Sequence, residues 1–123
     1  MKDITEPLPA PSGLQPRGTE FWRSIADEFE LSDSEAQLLR EACKTLDTLD
    51  DLAEAVERDG VTVLGSTGQT VVHPAVTEAR QQRLVLHRLV AALQLPDDAA
   101  IPTGETLRAI AGGRATAAKT RIR

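Results

Sequence analysis

Two stretches with helical periodicity, separated by a short segment of β-branched residues, constrain this chain more than any other feature. In the first stretch apolar residues recur at alternating steps of three and four, which places them on one narrow face of a helix. This first apolar stripe comprises Leu39, Ala42, Leu46, Leu49, Ala53 and Val56. A helix with such a stripe is stable mainly when another helix covers it, so the first stretch needs a partner.

The second stretch supplies that partner. Arg83 interrupts its apolar stripe, which otherwise keeps the same rhythm at Val76, Ala79, Leu86, Val90 and Leu93. Between the two stretches, residues 61–64 and 70–72 are rich in β-branched side chains, and the five residues that join them include two glycines, which is typical of a β-hairpin. Two long helices joined in this way fold back antiparallel and bury their stripes against each other.

Local signals set the ends of these helices. Ser32 and Glu35 have the spacing of a capping box, which predicts the start of the first long helix, and Gly60 predicts its end. Pro74 suits the first turn of the second long helix, and Pro96 ends it. The acidic residues beside the first stripe predict an acidic exposed surface on that helix: Asp47, Asp50, Asp51, Glu54 and Glu57.

The two ends of the chain differ from its centre. Four prolines lie in residues 1–17, and we expect a flexible arm there. Order is predicted to begin near Thr19, which can cap a helix that carries all the aromatic residues. At the other end, we expect residues 97–123 to form a flexible basic tail. The expected fold is therefore mainly α over residues 18–96: an antiparallel helical hairpin with a short β-hairpin at its tip and an N-terminal helix packed alongside.

Charge and composition narrow the class of protein. A chain of 123 residues fits one domain with tails, and its net charge of −5 is unlike that of a uniformly basic nucleic-acid coat. Residues 1–60 hold six basic and fifteen acidic residues, whereas residues 61–123 hold eight and four. The single cysteine, Cys43, excludes an intramolecular disulfide, and no apolar run or signal-peptide pattern is present, so we expect an intracellular protein outside the membrane.

The order and spacing of short motifs resemble those of the small terminase subunits of tailed double-stranded-DNA bacteriophages, of the type common in phages and prophages of actinobacteria. The resemblance covers roughly residues 17–96. Its motifs are Gly18-Thr19-Glu20-Phe21-Trp22-Arg23-Ser24-Ile25, Leu31, Leu38-Leu39-Arg40-Glu41-Ala42-Cys43, Leu46-Asp47 through Leu52, Asp59-Gly60, His73-Pro74-Ala75, Glu78 with Arg80, and Leu93-Gln94-Leu95-Pro96.

The resemblance implies a non-enzymatic component of a genome-packaging motor, without a cofactor, acting in the cytoplasm of an infected bacterium. Such subunits assemble into rings, bind viral double-stranded DNA, and recruit and regulate the large terminase subunit, which holds the ATPase and the nuclease. The alternative is a small intracellular helical adaptor or DNA-binding transcriptional regulator that acts as a dimer. The number of subunits in the oligomer distinguishes the two.

Basic side chains are the candidates for DNA contact. Arg80, Arg83 and His87 lie within about 60° on one helical face. The favoured interpretation of Arg83 is that its head pairs with Glu41 or Asp50 of the facing helix, and phosphate contact is the alternative. No helix-turn-helix recognition helix is evident. The candidate DNA-binding residues are Arg17, Arg23, Arg80, Arg83, Arg114, Lys119, Arg121 and Arg123. For the last four, which lie in the tail, a role in keeping the chain soluble explains the charge equally well.

Apolar side chains left outside the stripes are candidates for contact between subunits. Core packing is favoured for Phe21 and Trp22, although aromatic residues also anchor interfaces. The candidate interface residues are Phe21, Trp22, Leu38, Leu52, Leu84, Val85 and Leu89. Cys43, His73 and His87 have no spacing typical of a catalytic or metal site, so neither kind of site is predicted.

Overall fold

The computed structural model describes residues 6–96 and is mainly helical. Three helices pack together, and an antiparallel two-stranded β-hairpin connects the second helix to the third, which confirms the predicted fold class. The elements in chain order are α1 (Pro16–Ala26), α2 (Asp33–Asp59), β1 (Thr62–Leu64), β2 (Thr70–Val72) and α3 (Pro74–Leu93).

Helix α2 begins and ends where its sequence signals place the boundaries. The backbone N–H of Glu35 donates to Ser32 Oγ at 3.2 Å, and the N–H of Ser32 donates to Glu35 Oε1 at 2.8 Å, so both halves of the capping box form. At the other end Gly60 adopts a φ of +90°, which a side chain would strain. The 27-residue helix is therefore set by local chemistry at both ends.

Helix α3 starts at Pro74, as predicted, and ends at Leu93. Pro74 occupies the first helical position, where its missing N–H leaves no bond unmade. Gln94 takes a left-handed conformation with φ of +54°, so the helix stops before Pro96 is reached.

The β-hairpin has the predicted position and a regular register. Val63 pairs with Val71, and the flanking pairs are Thr62 with Val72 and Leu64 with Thr70. Gly68 supplies the positive φ of +85° that the turn requires. The hairpin extends from the end of the helical pair and leaves Leu64 75% exposed.

The hydrophobic core lies between the three helices, away from the hairpin. The first apolar stripe is buried at Leu39, Ala42, Leu46 and Leu49, and the second at Ala79, Leu86, Val90 and Leu93. Ala53 is exposed and Val56 is half-buried, so the predicted stripe of α2 is covered over its first half only. Over that half α1 packs against α2 together with α3, and it contributes Phe21, Trp22, Ile25 and Ala26 to the core.

The start of α1 differs from the prediction. The helix begins at Pro16, four residues before the position expected from a Thr19 cap, and the cap residue Gln15 makes no side-chain capping bond. The preceding segment also contacts the core: Leu8, Ala10 and Leu14 pack against it, and the indole N–H of Trp22 donates to the Leu8 carbonyl at 3.0 Å. The division of the chain at residues 17 and 96 stays a prediction, and the tail 97–123 lies outside the described residues.

Candidate nucleic-acid interface

Helix α3 presents a cationic face. It contains three arginines and one acidic residue, Glu78, and all three arginines are exposed. Glu78 is occupied by a neighbour on its own helix, since its Oε2 accepts from Gln82 Nε2 at 2.7 Å. Within residues 6–96, none of the arginines forms an ion pair or a side-chain hydrogen bond. We call the set Arg80, Arg83 and Arg88 the α3 cationic face.

The predicted pairing of Arg83 with Glu41 or Asp50 is wrong in the described part of the chain. Asp50 Oδ1 instead accepts from Arg17 Nη1 of α1 at 2.9 Å. Arg83 lies level with Asp50, since both line the same depression. Glu41 lies nine residues from Asp50 along α2, about 13 Å at the helical rise, and is therefore far from Arg83. Arg83 consequently keeps its guanidinium available to an external anion.

The structure brings Arg17 next to Arg83, although they are 66 positions apart in the sequence. Together with His87 they line a shallow depression of about 200 Å³ around Asp50. The Arg17–Asp50 pair is partly exposed on both sides, and exposed pairs of this kind contribute little stability, about 0–1 kcal/mol. A phosphate can therefore replace Asp50 as the partner of Arg17 at small cost.

The remaining basic candidates are scattered. Arg23 is exposed on α1 and has no ion pair among the described residues. The four candidates in the tail fall outside the residues that the structure describes: Arg114, Lys119, Arg121 and Arg123.

Asp47 is the residue that the sequence analysis placed incorrectly. It was assigned to the acidic surface, but it is only 5% exposed and serves α1. Its Oδ2 accepts from the backbone N–H of Gln15 and its Oδ1 from that of Gly18, both at 2.7 Å. These are free N–H groups at the start of α1, so Asp47 of α2 acts as the N-terminal cap that Thr19 was expected to be.

Gly18 makes this cap possible. A Cβ at this position would lie 2.5 Å from Asp47 Oδ2 and 2.7 Å from the Cys43 carbonyl oxygen. Only a residue without a side chain lets the start of α1 approach α2 so closely. The sequence contains one signal for this cap. Asp47 directly follows the core residue Leu46, and Gly18 lies in the first turn of the neighbouring helix.

His73 and Asp59 join the end of α2 to the start of α3. His73 Nδ1 accepts from the backbone N–H of Ala75 at 3.0 Å, so Nε2 carries the proton and donates to Asp59 Oδ2 at 3.0 Å. Hydrogen bonds from Arg58 first and His73 second lower the pKa of the Asp59 carboxyl. We call this pair the Asp59–His73 clamp; it fixes the two helix ends between which the β-hairpin emerges.

The cysteine and histidine do not form a reactive pair. Cys43 is buried, and burial together with the nearby Asp47 carboxylate raises the pKa of its thiol to about 12. It lies sixteen residues before Asp59, the partner of His73, and this separation is about 24 Å along α2.

In the part of the chain that the structure describes, no cluster of three His, Cys, Asp or Glu residues is arranged to hold a metal ion. Among the same residues, none of the helices has the length and apolar character needed to span a membrane.

The predicted interface residues divide into three groups. Phe21 and Trp22 are 4% exposed and belong to the protomer core, which leaves them little surface for a neighbouring subunit. Leu84 and Val85 are exposed on α3. Leu38, Leu52 and Leu89 are half-buried against the core.

The sequence analysis overlooked the apolar surface of the β-hairpin. Alternation along its strands exposes Leu64 and Val72 on the same face, and Val61 at its base is also more than half exposed. Three large apolar side chains in one small element, with little core beneath them, are typical of an interaction surface.

Comparison with known proteins gives one match. The sequence model of a protein family described as phage terminase, small subunit, matches residues 18–99, about two thirds of the chain. No curated protein matches the sequence. No solved structure matches it either.

Proposed function

Because the chain belongs to the phage terminase small-subunit family, we propose that it is a ring-forming, non-catalytic subunit for packaging of a viral genome. In this role it binds viral double-stranded DNA and recruits and regulates the large terminase subunit, which supplies the ATPase and the nuclease. It acts in the cytoplasm of the infected bacterium.

The observation that carries the DNA-binding role is the α3 cationic face. Its three arginines are exposed and have no acidic partner within residues 6–96, although the chain as a whole has a net charge of −5. Binding of arginine to phosphate releases counterions from the DNA and needs no base contact, so the local potential of this face matters more than the total charge.

The geometry of α3 leaves room for a second use, contact between subunits. Val85 and Leu89 lie about 160° and about 120° around the helix from Arg83, and about 140° and about 180° from Arg80, so a neighbour can cover them while these two arginines stay open. Arg88 lies only about 60° from Val85, at the edge of that contact. The exposed hairpin residues Leu64 and Val72 extend the apolar area. In a closed ring the arginine contacts repeat around the symmetry axis, and many weak phosphate contacts add up to firm binding.

The test is the salt dependence of binding to a fluorescently labelled duplex, measured by anisotropy on the full chain. The triple variant R80Q/R83Q/R88Q is expected to weaken binding and to reduce the slope of log K against log salt concentration by about 1 for each arginine that contacts a phosphate. The matched control is R40Q/K44Q, which removes two exposed cations from α2. Equal binding by the triple variant and the control would remove α3 from the DNA interface.

The large-subunit role is tested separately. Added small subunit is expected to change the DNA-dependent ATPase rate of the large terminase subunit encoded by the same phage. The alternative, a dimeric transcriptional regulator, predicts two copies per particle by light scattering, affinity for a single operator sequence and an unchanged ATPase rate.

A further inference from the structure

An open groove runs between the second half of α2 and the first half of α3, on the hairpin side of α1. Its volume is about 580 Å³, and all the residues that line it belong to α2 and α3. The floor is apolar and built partly of small side chains, which leave the space between the two helices unfilled. The floor residues are Leu49, Leu52, Ala53, Val56, Ala75, Val76 and Ala79.

The rim of this groove is acidic. Asp50, Glu54 and Glu57 lie along its α2 side, and Arg83 is the one basic residue that lines it. Asp50 is paired with Arg17, whereas Glu54 and Glu57 have no hydrogen bond or ion pair within residues 6–96 and Glu54 has only a Coulombic attraction to Arg58. An occupant that combines small apolar side chains with positive charge would cover the floor and neutralise the rim.

The C-terminal end of this chain has that composition. Residues 97–107 contain three acidic residues and no basic one, whereas residues 108–123 contain five basic residues and no acidic one. The basic half also contains small and apolar side chains, among them Ala115, Ala117, Ala118 and Ile122.

Chain length lets the basic half reach the groove of its own protomer. The groove residues of α3, from Ala75 to Arg83, lie about 15–27 Å from Leu93 at the helical rise. The acidic residues 97–107 can span about 36 Å when extended, enough to run back along α3. The basic residues therefore start where the groove comes within reach.

We propose that residues 108–123 dock in the groove between α2 and α3 of the same protomer, with their basic side chains along Glu54 and Glu57. The segment covers the hairpin-side half of the α2–α3 pair, as α1 covers the other half. The inference concerns contact within one chain and does not depend on DNA binding.

Zero-length carbodiimide coupling tests this contact, because the chain has only three lysines and one of them, Lys119, lies in the basic half. Coupling of the full-length protein, digestion and mass spectrometry are expected to join Lys119 to Glu54 or Glu57. An equimolar mixture of ¹⁴N and ¹⁵N protein is unfolded in urea and refolded before coupling, so that each oligomer contains both isotopes. Docking within one protomer then gives linked peptides of a single isotope.

A charge variant provides the matched control. R114Q/R121Q/R123Q leaves every lysine and carboxylate in place, and it is expected to lower the yield of the Lys119 linkage at least about fivefold, since three charge contacts are lost. Coupling between Lys44 and Glu41 on the far part of α2 should not change. Raising salt from about 0.05 M to about 0.5 M should have the same selective effect, because it shortens the screening length from roughly 14 Å to roughly 4 Å.

Three results would overturn the inference. Lys119 could couple as often to the exposed control carboxylates Glu20, Glu30 and Glu41 as to the groove, which would show unspecific collision. Mixed-isotope peptides would assign the groove to the tail of a second copy. Absence of any Lys119 linkage, with Lys44–Glu41 formed normally, would leave the groove without this occupant.

Discussion

Replacement of Asp47 by alanine removes the cap of α1 and tests the main tertiary contact that the structure adds to the sequence. The carboxylate is 5% exposed and accepts two backbone N–H groups at 2.7 Å, one from Gln15 and one from Gly18. The Gly18 bond is buried and the Gln15 bond is part-buried, so solvent is a poor substitute for the carboxylate and both donors lose their partner in the variant.

The magnitude follows from those two bonds. A hydrogen bond to a charged group contributes about 1.5 kcal/mol at the lower end of its usual range, so the pair is expected to contribute about 3 kcal/mol to the free energy of unfolding. Domains of this kind are stable by about 5–15 kcal/mol in total, so the loss is large. Asp47→Asn keeps the shape and one acceptor oxygen and should cost about half as much.

The assay is urea unfolding followed by the fluorescence of Trp22, at one fixed protomer concentration because association shifts apparent stability. Asp51→Ala is the matched control: Asp51 lies one turn further along α2 and, among residues 6–96, accepts only from the exposed Gln15 side chain, at 3.1 Å. It should cost about 0.5 kcal/mol or less. The reasoning fails if Asp47→Ala falls within about 0.5 kcal/mol of Asp51→Ala at an unchanged m-value.

Three further predictions concern the same framework. Gly18→Ala should lower the free energy of unfolding by about 2 kcal/mol in urea melts, because its Cβ would lie 2.5 Å from Asp47 Oδ2. This loss is expected although alanine favours helices. The control Glu20→Ala, exposed on the same helix, should be nearly neutral. Hydrogen bonds from Arg58 and His73 lower the pKa of Asp59 in the folded protein, so the ionised Asp59 carboxylate stabilises the fold. This stabilisation is present above the unfolded-state carboxyl pKa of about 4, and it disappears as the pH falls through the lower folded-state pKa. Asp59→Asn should therefore be less stable than the parent protein at about pH 6, and this deficit should shrink as the pH falls below about 4. A deficit that stays constant as the pH is lowered would contradict this assignment. Cys43, whose thiol pKa burial raises to about 12, should resist iodoacetamide at about pH 8 in the folded protein and react in urea; rapid labelling of folded protein would show that the α1–α2 contact opens readily.

Local signals were enough to predict both ends of α2, the β-hairpin and the start of α3. The capping box at Ser32, the glycine at 60 and the proline at 74 each act through backbone atoms within a few residues, so they operate in the same way whatever the rest of the chain does. The two apolar stripes predicted the antiparallel pairing of α2 and α3 for a similar reason, since each stripe has to be covered.

Long-range contacts were not predictable from these patterns. Asp47 has the same identity as its exposed neighbours, and only the approach of α1 distinguishes it as a buried cap. The local rule favours the hydroxyl of Thr19 as the cap, but the helix starts four residues earlier and the Asp47 carboxylate of α2 caps it instead.

The same reason explains the errors in the candidate site. Periodicity placed Arg83 opposite α2, but it could not show that Arg17 already occupies Asp50. Phe21 and Trp22 were offered both as core and as interface because aromatic residues suit either, and the depth of their burial decides for the core. The exposed hairpin residues were overlooked because β-branched runs predict strands without indicating what covers them.

The most direct test of the account is native mass spectrometry of the full chain with and without a DNA duplex. The account predicts one discrete species with a mass several times 13.3 kDa that takes up a single duplex, and R80Q/R83Q/R88Q should form the same species but fail to retain DNA at moderate salt. A monomer or dimer at micromolar concentration, with or without DNA bound, would contradict it.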